Sequence, residues 1–288
     1  MEIVAEKQQK WDLVIESRSR LLDLRLKELW EYRDLLLLLV KRDYIAFYKQ
    51  TILGPIWFFL QPLMTMIMYV IIFKKLAGLG TDNIPAPLFY MVGIVSWNYF
   101  AECLNKTSTV FKDNANVFGK VYFPRLILPF SIVMSNLVRF GVQLLLLIII
   151  MLYYIFFRDD FHFQFNSYLV LFPVFIALMA LFGLAMGMIV SAMTTKYRDL
   201  AFLVTFGVQL FMYATPVIYS LHSAPGKLKQ VISLNPLSPI IEGLRLGLLG
   251  KGEFHAGSFA YSAGVIIILT VIGILIFNKT EKDFIDTV

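Results

Sequence analysis

Charge, cysteine and histidine are scarce in this sequence. Charged residues make up 16% of the 288 residues and apolar residues 58%, against about 25% and 45–50% in soluble globular domains. The composition therefore excludes a soluble globular protein. The single cysteine, Cys103, excludes an intramolecular disulfide, and the three histidines, His162, His222 and His255, are too scattered to form a metal site. We expect no metal and no redox chemistry in this chain.

Long uncharged runs take the place of the missing charge. They predict six transmembrane helices, at about 52–74, 84–110, 127–157, 164–194, 200–221 and 256–278. Each run is long enough to cross a hydrocarbon layer of about 30 Å as a helix. The predicted fold class is an all-α integral membrane protein, with a cytoplasmic N-terminal region over residues 1–50 and a six-helix transmembrane domain over residues 51–288.

Lysine and arginine are distributed unevenly between the two sides that these helices would define. The N-terminal region, the loops after the second and fourth helices and the C-terminal tail hold 18 of them, against seven on the other side. Because positive loops stay in the cytoplasm, both termini are predicted to be cytoplasmic, in a cell inner membrane. The same loops account for the net charge of +6, so nucleic acid is not an expected partner.

One face of the N-terminal region is apolar. Apolar side chains recur there at steps of three and four residues, at Leu29, Trp30, Leu36, Leu37, Val40, Tyr44, Phe47 and Tyr48. This spacing predicts an amphipathic helix that lies along the cytoplasmic surface of the bilayer. The alternative is a cytoplasmic helix that packs on other protein.

A short apolar segment lies between the fifth and sixth predicted helices. Residues 231–241 are uncharged, too few to span the bilayer, and interrupted by Pro236 and Pro239. They predict a short re-entrant helical hairpin on the outer face, from about Lys227 to Lys251 and bent at residues 235–239. The alternative is a plain surface loop.

Catalytic and nucleotide-binding motifs are lacking. The nearest candidate for a phosphate-binding loop, Gly250-Lys251, has Arg245 in place of its first glycine and Gly252 in place of the hydroxyl residue. The sequence also has no G-x-S-x-G and no H-E-x-x-H motif. An enzyme is therefore not expected, and uphill transport would need energy from a partner or from an ion gradient.

Two ionisable residues, Glu102 and Arg139, fall well inside the predicted spans. Glu102 precedes Lys112 by ten residues, and Arg139 follows Leu128 by eleven. At about 1.5 Å per residue, both lie about 15 Å from the same membrane surface. We hypothesise an ion pair, because either charge alone would cost at least about 2.5–3.5 kcal/mol at mid-bilayer. The alternative is that each faces a hydrated cavity separately.

The aromatic content, 15% of the chain, has two interpretations. Tyrosine and tryptophan near span ends normally form interfacial belts. Aromatic rings could also line a path for sugars. The candidates for that path are Trp97, Tyr99, Phe100, Tyr213 and Tyr219. On the fourth helix, Gly183, Gly187 and Ser191 follow a small-x-x-x-small pattern that predicts close helix packing.

The cytoplasmic loop between the second and third helices alternates basic and aromatic residues and ends at a proline. We expect a short helix there that docks on a soluble partner, and the alternative is a simple connector. The candidate docking residues are Lys112, Phe118, Lys120, Val121, Tyr122, Phe123, Pro124 and Arg125.

Several segments in order resemble the transmembrane subunit of ABC exporters for cell-surface polysaccharides, the Wzm and TarG type of the ABC-2 permease superfamily. In the N-terminal third they are KELWEYRD at 27–34, VKRDY at 40–44, YKQTILGPIW at 48–57 and LQPL at 60–63. Further along they are KVYFPR at 120–125, KYRD at 196–199, TPVIY at 215–219 and NPLSPIIEGLR at 235–245. Each segment is weak alone, whereas the ordered set is specific and covers nearly the whole chain after Leu24.

The resemblance implies a homodimer that encloses a channel, with two copies of a separate ATPase subunit below it. The loop at 112–125 would then couple to the ATPase, and ATP and Mg²⁺ would bind the partner rather than this chain. The N-terminal helix would also contact the ATPase, through Trp30, Arg33, Arg42 and Asp43. The outer gate would be formed by Asn235, Pro236, Pro239, Glu242 and Arg245.

The function that the resemblance implies is export of an undecaprenyl-linked polysaccharide such as O antigen. Within this class, teichoic acid, capsule or a smaller lipid or drug is an alternative substrate. An ion-coupled secondary carrier is disfavoured because paired buried acids are lacking. A membrane-embedded transferase is disfavoured because no acid-base or metal constellation is present.

Overall fold

The computed structural model describes residues 26–49, 51–115, 123–158, 166–197 and 199–285. Within these ranges every regular element is a helix, which confirms the all-α prediction. The N-terminal part consists of α1 (Leu26–Glu31) and α2 (Arg33–Lys49), followed by α3 (Trp57–Tyr69), which continues as a π-helix over Val70–Leu76. The middle of the chain forms α4 (Ala86–Ser108), α5 (Val110–Asp113), α6 (Ile127–Phe157) and α7 (Phe172–Lys196). The last third forms α8 (Leu200–Tyr213), α9 (Gly226–Ser233), α10 (Leu237–Leu249) and α11 (Ala256–Ile285).

Four helical stretches of the described chain are long and apolar enough to cross a membrane. They are Gly54–Leu76, Ile127–Phe157, Ser167–Lys196 and Ala256–Glu281, and they coincide with the first, third, fourth and sixth predicted spans. The count of six spans stays a prediction.

The second predicted span, α4, is buried along most of its length. It packs against α3, α6, α7, α8 and α10, and its side chains include Ser96, Asn98, Glu102 and Lys106. A helix packed among other helices can carry such polar groups where protein or water, rather than lipid, faces them. For this reason α4 is less apolar than the four stretches above.

The fifth predicted span is shorter than expected. We predicted a helix over 200–221, whereas α8 ends at Tyr213 after 14 residues, a length of about 21 Å. Pro216 lacks an N–H group and restricts Thr215 before it, which ends the helix. The chain then turns through residues 214–220 before the 3-10 helix Leu221–Ser223.

The segment predicted as a hairpin forms two helices, α9 and α10, joined at residues 234–236. The turn is capped because the side-chain oxygen of Asn235 accepts a hydrogen bond from the backbone N–H of Leu237 at 3.0 Å. The bend therefore lies before Pro239, which sits in the first turn of α10, where a missing N–H costs nothing. Gly250 ends α10 in the left-handed conformation at φ 70°.

Helix α7 lies between α4 and α11. A Cβ atom at Gly183 would lie 2.8 Å from the Cβ of Cys103, and one at Gly187 would lie 2.5 Å from the Cβ of Thr107. A Cβ atom at Gly273 of α11 would lie 2.8 Å from the carbonyl oxygen of Ala185. The close packing predicted for the fourth helix is therefore present. Small residues let the backbone of α7 approach those of α4 and α11.

Candidate functional site

An arginine in the interior of the protein organises the α9–α10 region. Arg245 is 1% exposed, and its Nη1 lies 2.9 Å from Oε1 of Glu242, which is 2% exposed. Its Nη2 donates to the carbonyl of Val217 at 2.8 Å, and Nη1 donates to the carbonyl of Tyr219 at 3.4 Å. The guanidinium carbon also lies 3.8 Å from the ring centroid of Phe89 in α4. Arg245 thus ties α10 to the turn after α8 and to α4.

Asn235 holds the same turn from the other side. Its side-chain amide donates to the carbonyl of Ala214 at 3.1 Å and to the hydroxyl of Thr215 at 2.8 Å. The turn also lies directly on α4, because Gly93 has no side chain: a Cβ there would be 2.6 Å from the carbonyl oxygen of Val217. Residues 214–220 are therefore clamped between α4 and the two short helices.

Of the five predicted outer-gate residues, Asn235 and Arg245 contact this turn directly, and Glu242 pairs with Arg245. The other two, Pro236 and Pro239, shape the bend and the start of α10 instead. Val217 was not among the predicted residues. The sequence signal for it was Thr215-Pro216 within an apolar run, because a proline ends a helix and leaves the backbone carbonyls near the end without helical partners.

Glu102 lies between two cations. Its Oε2 atom is 3.4 Å from Nη1 of Arg139 on α6 and 3.1 Å from Nζ of Lys106, one turn further along α4. Lys106 also donates to the side-chain oxygen of Asn136 at 3.4 Å. The carboxylate is 48% exposed and the Arg139 side chain 16%. Sequence reasoning missed Lys106, although its spacing of four residues from Glu102 was the available signal.

A polar cavity of about 120 Å³ lies between α3, α4 and α6 and is lined by Glu102 and Arg139 of this cluster. Its lining is rich in carboxamide side chains, namely Gln61, Asn98, Asn136 and Gln143. Asn98 donates to Gln143 at 3.4 Å, and Gln61 is exposed at the surface of the bundle. Uncharged amides inside apolar runs were the sequence signal for this cavity, and the sequence reasoning did not use it.

The predicted path aromatics are divided between the core and the surface. Trp97, Tyr99 and Phe100 are 6%, 3% and 1% exposed, and Phe100 stacks on Phe182 with ring centroids 5.1 Å apart. Trp97 and Phe100 thus pack in the core of the chain, where they cannot contact a ligand on its surface. Tyr99 lines the polar cavity.

Of the two remaining path candidates, Tyr213 ends α8 directly before the clamped turn and Tyr219 lies within it. Tyr213 is 59% exposed, and its carbonyl accepts a hydrogen bond from the hydroxyl of Tyr219 at 3.0 Å.

The N-terminal helix α2 is tied to the helical bundle through Asp43. This carboxylate lies 2.9 Å from Nη2 of Arg42 and accepts a hydrogen bond from Ser135 of α6 at 3.3 Å. Arg42 also donates to Asn114, just after α5, at 3.5 Å. Arg42 and Asp43 therefore make contacts within the chain.

The other two candidate interface residues lie at the surface. Trp30 is 70% exposed, and the guanidinium carbon of Arg33 lies 5.7 Å from the centroid of its ring.

The predicted docking loop is described only at its ends. Lys112 is exposed on α5, and Phe123 is 6% exposed. Arg125 follows Pro124, and its Nε lies 3.4 Å from Oε1 of Glu281 near the end of α11. The other four candidates lie outside the described residues, at Phe118, Lys120, Val121 and Tyr122.

Comparison with known proteins gives the class of this chain. Residues 34–249 match the family model of the ABC-2 type transporter, so the chain belongs to this family, and the resemblance inferred from the sequence segments is confirmed. With several apolar helices of spanning length, it is a multi-pass membrane protein and a transport subunit.

The chain is similar to curated relatives along almost their whole length. It is 29% identical over 265 residues to the O-antigen export system permease protein RfbA of Myxococcus xanthus, which covers 91% of this chain and 98% of the relative. It is also 29% identical over 255 residues to the O-antigen export system permease protein RfbA of Klebsiella pneumoniae, which covers 87% of this chain and 93% of the relative.

Proposed function

We propose that this chain is the permease subunit of an ATP-driven exporter that moves an undecaprenyl-linked O-antigen polysaccharide across the cytoplasmic membrane. The observation that carries the proposal is the family match over residues 34–249, joined to full-length similarity with O-antigen export permeases. We propose no catalytic role for the chain itself.

The polar cavity between α3, α4 and α6 supports a hydrated route. Gln61 of α3 and Glu102 of α4 are both exposed beside this cavity. Polar and ionisable groups inside a membrane segment face the bundle interior or water, because lipid would leave them unsatisfied. Amides and a carboxylate suit sugar hydroxyls, which both donate and accept hydrogen bonds.

The proposed assembly has two ends with different roles. The contact of Arg125 with Glu281 and that of Arg42 with Asn114 gather α2, α5, the start of α6 and the end of α11 at one end of the bundle. We propose that this end is cytoplasmic, together with both termini, and that it docks the ATPase. ATP and Mg²⁺ are then held by the ATPase, and this chain needs no cofactor.

The other end carries α9 and α10. We propose that these two helices form a re-entrant hairpin and act with the clamped turn at 214–220 as the outer gate. Two copies of this six-span chain, with two ATPase copies, would enclose the conduit.

The test is export from reconstituted vesicles that contain this chain and its ATPase, with lipid-linked polysaccharide as the cargo. We expect ATP-dependent transfer of the glycan to the far side, and none when the ATPase carries a substitution of its Walker lysine. ATP hydrolysis by the isolated chain, or export that continues without the ATPase, would overturn the proposal.

A further inference from the structure

Two cavities adjoin each other where α11 begins. The first, of about 340 Å³, lies between the loop before α4 and the 3-10 helix after the clamped turn, and Asp82 and Ser220 are among its lining. The second, of about 410 Å³, lies between α9, α10 and the start of α11, and is lined in part by Lys229. Glu242 and Glu253 line both cavities. We call the two together the outer cleft. Each volume falls within the range of about 300–1,000 Å³ that is typical of small-molecule sites.

The outer cleft lies at the opposite end of the bundle from the proposed ATPase-docking end. Helix α11 begins at Ala256, beside Glu253 of the cleft, and it has 30 residues, a length of about 45 Å. The contact of Arg125 with Glu281 is close to its other end. A bilayer with its headgroups is about 40–45 Å thick, so α11 is long enough to reach from one surface to the other. A cargo that enters at the docking end would therefore meet the outer cleft as it leaves.

Two of the three carboxylates that line the outer cleft are paired with cations, and the third, Asp82, accepts a hydrogen bond from Ser220. Glu242 pairs with Arg245 at 2.9 Å, and Glu253 pairs with Lys229 at 3.1 Å. The hydrogen bond from Lys229 holds the pKa of the Glu253 carboxyl below its ordinary value. Nδ1 of His222 also lies 3.1 Å from Glu253. Because Asp82 adds a third carboxylate to these two pairs, the cleft has a small net negative charge and would not attract a free anion.

The lining does not fit a metal ion or a phosphate-rich ligand. Among the described residues, no group of three or more histidine, cysteine or carboxylate side chains could hold a metal ion. A phosphate-rich ligand would need an excess of positive charge, which this lining lacks. The cleft offers hydrogen-bond donors and acceptors that are held in place by the protein. Ser220 donates to Asp82, and Glu242 is held in the interior at 2% exposure.

We propose that the outer cleft binds a short, neutral, hydroxyl-rich segment of the exported glycan after it has passed the gate. Sugar hydroxyls donate to the carboxylates of Asp82 and Glu253 and accept from Lys229, and hydrogen bonds to charged groups are the stronger kind. Binding is weak, because a sliding polymer must also leave. The inference rests on the proposed function, which makes a glycan the cargo.

The test uses glycan without its lipid. Cell-surface polysaccharide is released from the producing strain by mild acid, cut to short oligosaccharides and titrated against the purified full chain in nanodiscs, with saturation-transfer NMR as the readout. The blocking variant is Ser258→Trp, which fills the second cavity from α11. The matched control is Ala260→Trp, which places the same ring on an exposed position outside the lining.

A second variant guards against a folding defect. Asp82 has φ 50°, a left-handed conformation that asparagine also adopts readily, so Asp82→Asn keeps the backbone and removes only the charge. We expect the wild type and Ala260→Trp to bind oligosaccharide, Ser258→Trp to bind at least about tenfold more weakly, and Asp82→Asn several-fold more weakly, as expected for lost or weakened charge-assisted hydrogen bonds.

The outcomes separate the two proposals. Binding that Ser258→Trp and Asp82→Asn leave unchanged would overturn the outer cleft as the site. Absence of oligosaccharide binding to a wild type that exports glycan in the vesicle assay would also overturn it, and the proposed function would stand. Failure of the wild type with its ATPase to export would instead overturn the proposed function.

Discussion

Replacing Arg245 by methionine isolates the buried charge pair that holds the outer gate together. Methionine is apolar and unbranched, so it replaces the aliphatic stem of the arginine but cannot donate a hydrogen bond. The substitution leaves Glu242, 2% exposed, as a buried carboxylate without its cation. It also removes the donors to the carbonyls of Val217 and Tyr219.

The expected loss of stability follows from this burial. Removing one partner of a buried ion pair costs about 3–5 kcal/mol, because the remaining charge stays desolvated. The carbonyls of Val217 and Tyr219 also lose their donor, which lowers the stability further, so we expect a loss in the upper part of that range. At about 2–4 °C per kcal/mol, the upper part of that range, about 4–5 kcal/mol, lowers the unfolding midpoint by roughly 8–20 °C.

The single cysteine provides a clean assay for this change. Cys103 is fully buried, so a thiol-reactive fluorophore reports unfolding of the detergent-solubilised protein without further mutations. The control is the double variant Arg245→Met with Glu242→Leu, which removes both charges and should recover part of the lost stability.

Two results would refute this reasoning. One is an Arg245→Met midpoint within about 3 °C of the wild type, because a buried charge would then have lost its partner at almost no cost. The other is a double variant no more stable than Arg245→Met alone, because removing the stranded carboxylate should relieve its desolvation.

Three further predictions concern packing, pH and coupling. Gly187→Ala should cost about 1–3 kcal/mol by overpacking, whereas Gly207→Ala, which meets nothing within 4 Å, should not destabilise; equal thiol-exposure midpoints would count against close packing of α4 and α7. Because the pKa of Glu253 is lowered by Lys229, its ion pair stabilises the fold above the unfolded-state pKa of about 4.3 and is lost as the pH falls through the lowered pKa. The midpoint difference between the wild type and Glu253→Gln should therefore shrink below about pH 4, and an undiminished difference at about pH 3 would contradict this. Arg125→Ala should lower vesicle export several-fold while the ATPase still hydrolyses ATP; unchanged export would argue against a coupling role for this end of the loop.

The two charge clusters differ in how far they are enclosed by the protein. The pair of Glu242 and Arg245 is almost fully enclosed, and it fixes backbone carbonyls that a broken helix leaves without partners. The cluster of Glu102, Lys106 and Arg139 is partly open and lies against the amides of the polar cavity. The first is suited to hold a structure in place and the second to face water.

The sequence predicted the spans whose signal is local. The runs that became Gly54–Leu76, Ile127–Phe157, Ser167–Lys196 and Ala256–Glu281 were visible because lipid-facing helices must be apolar along a length set by the bilayer. It did not predict that the fifth helix would end at Tyr213. The mean hydropathy of the run does not register a single proline. The helix ends before Pro216 because this residue has no backbone N–H to donate.

For the candidate site, the sequence by itself determined the family, the class of function and the residue types that stand out: a proline-broken apolar segment and rare charges inside spans. Only the tertiary structure decided which of these residues meet. It placed Arg245 on carbonyls 26 and 28 residues away and buried Trp97 and Phe100 in the core. The physical reason is that spacing along a helix fixes which residues share a face, whereas the packing of several helices decides what that face touches.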